Sequence, residues 1–394
     1  MKYYLVGIKG TGMSALASML YDCGNEIIGS DVLSNFGFEQ GLKERNIQIL
    51  NFKKENITSD YIYIISNAYH DDNVEVKEIQ KHNYQYFYYH EFISKLNGIH
   101  IAISGTHGKT TTSFFIKQLL RDEKIAYIIG DGSGGGCIDY TYLIYEACEC
   151  QDHFLVYNPD ILVITNIDYD HPDYFNSLDD VKRSFEILKK KSKFVIELDN
   201  YEILEITSDY TKFIFQNDVY LVNLIGKHLI DDLVLAITVL KKLGYDYEYI
   251  KNRFNYLQMP KRRMEETIIQ NTVIIEDYGH HPKEIKALYE SIKLKYSQFN
   301  KICIFQPHTY SRTLRFYKEF IDALSLFDDI YVDDVFTSKR EPCDIEKQNI
   351  INYLFNCFKT YSEFNVLKCD FNKKQVIVLL GAGDLNIRFM ENIK

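Results

Sequence analysis

The chain has 394 residues, of which 46% are hydrophobic, and its formal net charge is −10. Because this length exceeds that of one ordinary core, we expect two or three domains. The acidic balance and the lack of a long basic run exclude a nucleic-acid-binding surface, so local positive groups must bind any anionic substrate. No apolar run approaches the roughly 18 residues of a membrane-spanning helix, and we expect no membrane insertion.

The eight cysteines and the first residues indicate the compartment. The cysteines form no C-x-x-C pair, which argues against both a zinc site and a disulfide framework. The opening stretch "MKYYLVGIKGTGM" runs directly into a strand and a glycine turn, without the apolar core of a signal peptide. We therefore expect a cytoplasmic protein with reduced thiols.

Short apolar runs that end in Gly, Ser, Asp or Asn recur along the chain and alternate with helical patterns. Examples are "YYLVGI", "HIAISG", "ILVITNI", "KICIFQP" and "VIVLLGAGD". This alternation is typical of α/β proteins with parallel sheets, in which ligands bind at the carboxyl ends of the strands. The series begins at residue 1 and restarts at about residue 99 and near residue 259, so we predict three domains, 1–98, 99–258 and 259–394.

The first predicted domain opens with "GIKGTGMSALA". Its glycines Gly7, Gly10 and Gly12 do not match the dinucleotide fingerprint G-x-G-x-x-G, although Asp31 follows the second strand, where a ribose-binding acid often lies. The pattern allows either a dehydrogenase or binding of a different nucleotide diphosphate. We favour the second interpretation because the third domain contains no recognisable hydride-transfer residues.

The second predicted domain begins with a strand followed by "SGTHGKTTT", residues Ser104 to Thr112. A glycine-containing turn between a strand and a helix exposes backbone N–H groups, and the helix start adds its dipole. Ile103 stands where the general phosphate-loop pattern has its first glycine, so the loop is a compact variant. We expect Lys109 to lie along the terminal phosphates and Thr110 to offer its hydroxyl to Mg²⁺. The alternative is an ordinary turn before a threonine-rich helix.

Two later strands of this domain end in polar side chains. "YEACEC" ends one strand with Glu146, and "TNIDYDHPDYF" ends the next with Asn166, Asp168, Asp170 and His171. Each residue alone is more often a solvated loop group. Because adjacent strand ends bring an acid and a histidine close to the phosphate loop, we favour a divalent-cation site there.

The third predicted domain carries "PKRRM", "EDYGHHPKE" and "FQPHTYSRT". These stretches concentrate positive and imidazole side chains at strand ends of an acidic protein; they are Arg262, Arg263, His280, His281, His308 and Arg312. We interpret them as an anion-binding cluster. Helix caps and surface charges explain any one of them, but explain the repetition less well.

Taken in order, these motifs resemble those of the Mur ligases of bacterial cell-wall synthesis, and in particular the members that join L-alanine to UDP-N-acetylmuramate. The resemblance covers all three domains, through "GIKGTGMSALA", "GTHGKTTT", "YEACEC", "TNIDYDHPDYF", "KRRM", "DYGHHPKEI", "QPHTYSR" and "LLGAGD". It implies a Rossmann-like N-terminal domain for the UDP-sugar, a central P-loop ATPase-type domain for MgATP, and a Rossmann-like C-terminal domain for the amino acid. It also implies an ATP-dependent ligase acting through an acyl phosphate, as a monomer or homodimer.

The resemblance implies a role for each matching residue. ATP is expected to contact Gly105, Thr106, His107, Gly108, Lys109, Thr110, Thr111, His228, Arg262 and Asp277. The UDP-sugar is expected to contact Gly10, Thr11, Gly12, Met13, Ser14, Asp31 and Asn166. The amino acid is expected to contact Tyr278, His281, His308 and Arg312, and Mg²⁺ to be bound by Thr110, Glu146 and His171. The implied catalytic residues are Lys109, Arg263, His281 and Arg312.

The sequence departs from the family pattern at several points. The central domain is abbreviated, since only "DNYEILEITSDYTKFIFQNDVYLVNLI" separates "KFVIEL" from "GKHLIDD". In "GKHLIDD", Gly226 and His228 match the family, but Leu229 and Asp232 stand where it has two asparagines, one of which reads adenine. Lys283 replaces a common threonine near the amino-acid site. Two alternatives therefore stay open: a sister ligase that adds another amino acid or a peptide, and a degenerate homologue that binds UDP-sugar or partner proteins without turnover.

Overall fold

The structure is a computed structural model that describes residues 1–33, 37–337, 341–364, 366 and 369–393. It separates into two compact units. The first comprises Met1–Tyr169, Ser177–Asp199 and Leu235–Leu257, and the second comprises Asp170–Asn176, Asn200–Val234 and Gln258–Lys394. Each unit is described by itself, and the division into three domains at 98 and 258 stays a prediction.

The first unit begins with a parallel sheet of strand order β3-β2-β1-β4-β5. Its elements are β1 (Lys2–Val6), α1 (Thr11–Asp22), β2 (Glu26–Ser30), α2 (Gln40–Glu44), β3 (Gln48–Leu50), β4 (Ile62–Ile65), α3 (Val74–Lys81), β5 (Tyr86–Tyr88) and α4 (Tyr89–Ile93). This order is that of a Rossmann-like sheet, in which the ligand crevice lies beyond the carboxyl end of the first strand. The glycine turn after β1 occupies this position, because the chain there passes directly into α1.

A second sheet in the same unit has the strand order β11-β10-β6-β9-β7-β8. Its elements are β6 (Ile99–Ser104), α5 (Lys109–Leu119), β7 (Ile125–Ile128), β8 (Gly134–Gly135), β9 (Tyr142–Glu146), β10 (Ile161–Ile164), α6 (Leu178–Lys191) and β11 (Phe194–Ile196). Strand β6 pairs in parallel with both β10 and β9, and all three are buried and apolar along most of their length. The loops after these three strands therefore meet at one edge of the sheet.

The second unit contains a small antiparallel sheet, β12 (Glu202–Ile206), β13 (Thr211–Phe215) and β14 (Asp218–Val222). The helix α7 (Lys227–Lys242) follows; its residues up to Val234 belong to the second unit and those from Leu235 to the first. The helix α8 (Tyr247–Lys251) belongs to the first unit. One face of the sheet buries Phe213, Phe215 and Tyr220, while Leu204 and Leu221 are exposed. The stretch between "KFVIEL" and "GKHLIDD", which is shorter than the family pattern predicts, thus forms these three strands.

The remaining elements of the second unit form a sheet of order β15-β16-β20-β17-β18-β19. They are β15 (Glu265–Ile269), β16 (Thr272–Asp277), α9 (Pro282–Lys295), β17 (Asn300–Phe305), α10 (Tyr310–Arg315), α11 (Tyr317–Leu324), β18 (Asp329–Val332), α12 (Ile345–Leu354), β19 (Lys359–Thr360), β20 (Gln375–Leu380) and α13 (Leu385–Glu391). Apart from the β15–β16 hairpin, the pairs are parallel. Buried Ile274, Ile304 and Ile377 lie on the three central strands. The predicted α/β fold class is confirmed.

None of the helices in the described part of the chain is long and apolar enough to cross a membrane.

A buried carboxylate joins several elements of the first sheet. Glu75 on α3 is 0% exposed and accepts hydrogen bonds from Tyr4 Oη at 3.0 Å, from Asn56 Nδ2 at 2.7 Å and from the hydroxyl of Ser30. The backbone N–H of Lys53 also donates to it, at 3.0 Å. Since buried polar groups cost free energy unless they are hydrogen-bonded, these donors and this acceptor stabilise one another.

We predict that Glu75→Ala lowers the free energy of unfolding by about 2–4 kcal/mol, because several buried donors lose their acceptor and a cavity forms. Urea denaturation followed by circular dichroism measures this. Glu78→Ala is the matched control on the same helix, since Glu78 bonds Lys81 and His82 at the surface, and it leaves the unfolding midpoint nearly unchanged. Equal effects of the two substitutions would contradict the structural role of Glu75.

Candidate active site

The turn between β6 and α5 has a backbone that only glycine tolerates well. Gly105 has φ +132°, and a Cβ added there would lie 2.1 Å from Thr165 Oγ1 and 2.8 Å from the carbonyl oxygen of Asn166. Gly108 has φ +80° and immediately precedes the first residue of α5. The two glycines therefore allow the loop to pack closely against the end of β10, with its amides at the start of a helix.

Asn166, which follows β10, fixes the shape of this loop. Its Oδ1 accepts from the backbone N–H of His107 and its Nδ2 donates to the His107 carbonyl oxygen, both at 3.0 Å. Its own carbonyl oxygen accepts from the N–H of Thr106 at 3.1 Å. Thr106 Oγ1 in turn accepts from the backbone N–H of Asp168 at 2.9 Å. The structure thus uses the side chain of Asn166, a predicted sugar contact, to hold the phosphate loop.

Lys109 lies at the base of the loop with its ammonium group fully engaged. Nζ donates to the carbonyl oxygens of Gly105 and Thr106 and lies 3.2 Å from Glu149 Oε2. The side chains of Lys109 and Glu149 are 15% and 2% exposed. Burial disfavours the charged form, but the carboxylates of Glu149 and Glu146 outweigh this effect and raise the pKa of Lys109 above its ordinary value. A positive charge is therefore fixed at the base of the loop.

Glu146 provides oxygen ligands near the same helix start. Its Oε1 accepts from the N–H of Gly130 at 2.5 Å and from Ser113 Oγ at 3.4 Å, and Thr110 is 8% exposed on the same helix. Mg²⁺ prefers such oxygen donors and usually combines one or two protein ligands with phosphate oxygens and water. In the described ranges, no group of three or more His, Cys, Asp or Glu side chains is arranged to bind a metal ion by itself. The residues present fit a cation completed by phosphate oxygens.

His171 belongs to the second unit, whereas Glu146 belongs to the first. His171 has φ +53°, and its Nε2 lies 3.9 Å from Asp170 Oδ2. Their shared cation site stays a prediction.

The glycine turn after β1 is held from within the first unit. Gly7 has φ +82°, and a Cβ there would lie 2.6 Å from the ring of Tyr69. Asp31 accepts from the N–H of Lys9 at 2.7 Å and from Tyr69 Oη at 3.0 Å, and it is 3% exposed. Asp31, a predicted sugar contact, therefore orders the turn.

The five residues that follow Lys9 include the predicted UDP-sugar contacts at the start of α1. Gly10 is exposed, Thr11 and Gly12 are partly exposed, and Met13 and Ser14 are buried. Within this turn, Gly10, Thr11 and Gly12 are consequently the more accessible residues.

In the second unit, the carboxyl ends of β16, β17 and β20 lie side by side, because Leu380 pairs with both Asp277 and Phe305. Asp277 accepts from the backbone N–H groups of Met264 at 3.0 Å and Gly279 at 2.7 Å, and burial raises its pKa. Arg262 Nη2 donates to the carbonyl oxygens of Gly381 at 2.6 Å and Gly383 at 2.9 Å.

Arg263 and Tyr278 lie in the same cluster. The Arg263 guanidinium carbon is 5.4 Å from the ring centre of Tyr278, and Arg263 Nη1 is 3.5 Å from Glu284 Oε1. The predicted residues Arg262, Arg263, Asp277 and Tyr278 are thus brought together at one sheet edge.

Arg312 makes the most deeply buried ion pair of this cluster. Its Nε and Nη2 donate to the two carboxylate oxygens of Asp170, at 2.9 and 3.0 Å, and its Nη1 is 3.4 Å from His308 Nδ1. The ring of His280 lies 5.8 Å from that of His308, centre to centre. Burial and the charge of Arg312 lower the pKa of His280 well below its ordinary value, so its imidazole is neutral at neutral pH.

The two consecutive histidines take different places. His280 Nδ1 donates to the carbonyl oxygen of Tyr278 at 3.1 Å, which leaves Nε2 as the acceptor. His281 caps α9 instead: its Nδ1 accepts from the N–H of Lys283 at 3.3 Å, and its ring packs on Phe316. The catalytic role predicted for His281 stays a prediction, and His280 is the histidine whose ring lies beside that of His308.

The segment "GKHLIDD" packs against α9 within the second unit, because a Cβ on Gly226 would lie 2.0 Å from Ser291 Oγ. Burial lowers the pKa of His228 to about 4, with a contribution from the positive charge of Arg263. Leu229 is 4% exposed and Asp232 is 6% exposed. Both family substitutions are therefore buried near the start of α7, next to a neutral His228.

Sequence reasoning missed the role of one site residue and the partner of another. Glu149 was part of the quoted "YEACEC", but only the three-residue spacing after the end of β9 and the turn that follows it place its carboxylate at Lys109. Asp170 was expected near a cation, and the structure pairs it with Arg312 instead. In both cases the sequence signal for this role was the negative charge of the residue, since a buried cation requires a buried anion.

The chain is similar to known proteins over nearly its whole length. Residues 2–98 match the model for the Mur ligase family, catalytic domain, and residues 103–220 match the Mur ligase middle domain. A UDP-N-acetylmuramate–L-alanine ligase of Streptococcus gordonii is 34% identical over 97% of the chain and 95% of that protein. The ligase of the same name from Streptococcus pyogenes is 33% identical over 98% of the chain and 95% of its own length.

Among solved structures, the UDP-N-acetylmuramate–alanine ligase MurC of Thermotoga maritima superposes with a TM-score of 0.81 at 21% identity, covering 100% of this chain and 98% of that one. At this identity the superposition supports the fold. The near-full-length sequence similarity and the two matching domain models lead to one conclusion: the chain belongs to the Mur ligase family.

Proposed function

We propose that the chain is an ATP-dependent ligase that joins L-alanine to the carboxylate of UDP-N-acetylmuramate. The observation that carries this proposal is the ordered phosphate loop with its buried Lys109 charge. Relatives named for this reaction match nearly the whole chain, which supports the choice of substrates.

The first step activates the carboxylate. A carboxylate oxygen attacks the terminal phosphorus of ATP, ADP leaves, and an acyl phosphate results. The N–H groups of Thr106 and His107 donate to Asn166, so the backbone N–H groups of Gly108 and Lys109, with the Lys109 ammonium, stabilise the negative charge of the transferring phosphoryl group. Because Asn166 already orders the loop, these donors need little rearrangement during the reaction. Thr110 and Glu146 would hold Mg²⁺, which would neutralise further charge on the phosphates, and His171 stays the third predicted ligand.

In the second step the alanine amine attacks the acyl carbon, and phosphate leaves from a tetrahedral intermediate. Arg312 and His308 hold the alanine carboxylate under this proposal. The neutral His280 accepts a hydrogen bond from the amine at Nε2, since its Nδ1 donates to the Tyr278 carbonyl oxygen. Arg262 or Arg263, with Asp277, position the phosphates, and the turn from Gly10 to Ser14 binds the UDP-sugar.

The function is tested by measuring phosphate release with ATP, Mg²⁺ and UDP-N-acetylmuramate against a panel of amino acids. We expect release that depends on L-alanine and on both other substrates. Release that depends on another amino acid or a peptide would identify a sister ligase. Binding of UDP-N-acetylmuramate without any release would identify a non-catalytic homologue.

We predict that Lys109→Ala lowers kcat by about 10²-fold or more, because a contact that is strongest in the transition state is lost. Steady-state phosphate release measures this. Lys124→Ala, an exposed lysine of the same unit that pairs with Asp139, is the control and keeps wild-type kcat.

Lys109→Ala also leaves the buried Glu149 unpaired, so stability must be separated from catalysis. The double variant Lys109→Ala/Glu149→Gln removes both charges. We expect it to melt closer to wild type than the single variant and to stay inactive. Recovery of activity in the double variant would contradict the role of Lys109.

The last prediction concerns recognition of the base. An asparagine can pair with adenine bidentately, a contact worth about 1–3 kcal/mol of discrimination, whereas Asp232 can only accept and Leu229 offers apolar contact. We therefore predict that ATP is preferred over GTP by no more than about tenfold in kcat/KM, and that Asp232→Asn increases this preference.

Asp231→Asn is the neighbouring control for this comparison. Asp231 bonds Tyr201 Oη at 2.7 Å and Lys227 Nζ at 2.8 Å, so its replacement leaves the ATP/GTP ratio unchanged. A thousandfold preference for ATP in the unmodified protein would mean that adenine is read elsewhere.

A further inference from the structure

We propose that Asp170 is a positioning residue for amino-acid binding, which acts by orienting the guanidinium group of Arg312. The proposal rests on the proposed function, because it assigns Arg312 to the carboxylate of the incoming amino acid. Both residues belong to the second unit.

The pair has the geometry of a two-point clamp. Arg312 Nε lies 2.9 Å from Asp170 Oδ1, and Arg312 Nη2 lies 3.0 Å from Asp170 Oδ2. The two side chains are 6% and 7% exposed. Two parallel charge-assisted hydrogen bonds fix the guanidinium plane as well as its distance, which a single contact does not.

The two bonds to Asp170 determine which edge of the Arg312 guanidinium group can bind a ligand. A guanidinium group has one edge formed by Nε and Nη2 and another formed by Nη1 and Nη2. Asp170 takes the first edge, so the second edge is the one that can bind a carboxylate bidentately. Nη1 on that edge lies 3.4 Å from His308 Nδ1, which places it beside a residue predicted to contact the same amino acid.

The local backbone gives Arg312 little other support. It lies on α10, a helix of six residues that follows Thr309 with φ +67°. A long side chain on so short a helix keeps many rotamers unless a partner selects one. The two-point contact with Asp170 selects one of them.

Net stabilisation of the fold does not by itself explain this buried ion pair. Removing two charges from water costs free energy that their attraction often only balances, so a buried ion pair adds little net stability compared with apolar residues. Its specific effect is orientation. Loss of orientation should weaken amino-acid binding without affecting the nucleotide.

The test compares the KM values of Asp170→Asn for all three substrates. We expect the KM for L-alanine, or for whichever amino acid the panel identifies, to rise by about tenfold or more. The KM values for ATP and UDP-N-acetylmuramate should stay within about twofold of wild type. Asp173→Asn is the control, because Asp173 is an exposed aspartate of the same segment, and it leaves all three KM values unchanged.

A double-mutant cycle with Arg312→Lys separates positioning from direct contact. A lysine cannot form the two-point clamp, so Arg312→Lys alone raises the amino-acid KM. Because Asp170 acts only through Arg312, adding Asp170→Asn to Arg312→Lys raises this KM no further. Multiplicative effects of the two substitutions would overturn the proposal, as would an unchanged amino-acid KM in folded Asp170→Asn.

Circular dichroism melts decide whether the variants are folded. If Asp170→Asn does not fold, Asp170→Glu keeps the charge and moves the carboxylate by one methylene, and we expect the same selective rise in the amino-acid KM. If neither variant folds, the pair is structural and the proposal is wrong. Wild-type protein without amino-acid-dependent phosphate release would refute the proposed function itself, before any variant is compared.

Discussion

The two hydrogen bonds between the Asn166 side chain and the backbone of His107 determine the shape of the phosphate loop. They join the ends of β10 and β6, which the parallel sheet places next to each other. Gly105 is required because any larger residue would meet Thr165 and Asn166. The loop is therefore ordered by the protein before a nucleotide binds, and the amides of Gly108 and Lys109 at the start of α5 are preorganised for negative charge.

In each unit of this acidic chain, a buried carboxylate pairs with a positive side chain of the candidate site. In the first unit Glu149 binds Lys109, and in the second Asp170 binds Arg312. Overall charge cannot attract a nucleotide or an acidic sugar to a protein of net charge −10, so local cations must do so. The paired carboxylates keep these cations in place. A substrate anion must therefore either compete with the carboxylates for the cations or bind the cations beside them.

Much of this could be predicted from the sequence, because buried parallel strands are continuous apolar runs. The runs "HIAISG" and "ILVITNI" became β6 and β10, and the residues after them form the ordered loop and the Asn166 contacts that hold it. The strands β12 and β15 gave no such signal, since most of their residues are exposed or partly exposed and their charged positions interrupt the apolar pattern. The local apolar pattern predicts the buried strands and misses these two exposed edge strands.

Roles within the site were harder to predict than its location. His280 and His281 are adjacent, and only the start of α9 determines that His281 caps the helix while His280 faces His308. Asp31 follows a strand like a ribose-binding acid, yet it orders the turn before α1. Such assignments depend on which neighbour satisfies each polar group, and this information is tertiary.

In the proposed reaction, the ordered loop binds ATP while its terminal phosphoryl group is transferred to a carboxylate. An amine then displaces phosphate from the resulting acyl phosphate. The most direct test uses UDP-N-acetylmuramate whose carboxylate oxygens carry a heavy isotope, with mass spectrometry of the released phosphate. An acyl phosphate transfers one carboxylate oxygen to phosphorus, so the account predicts one labelled oxygen in each phosphate released during ligation. Unlabelled phosphate released alongside fully formed amide product would contradict it.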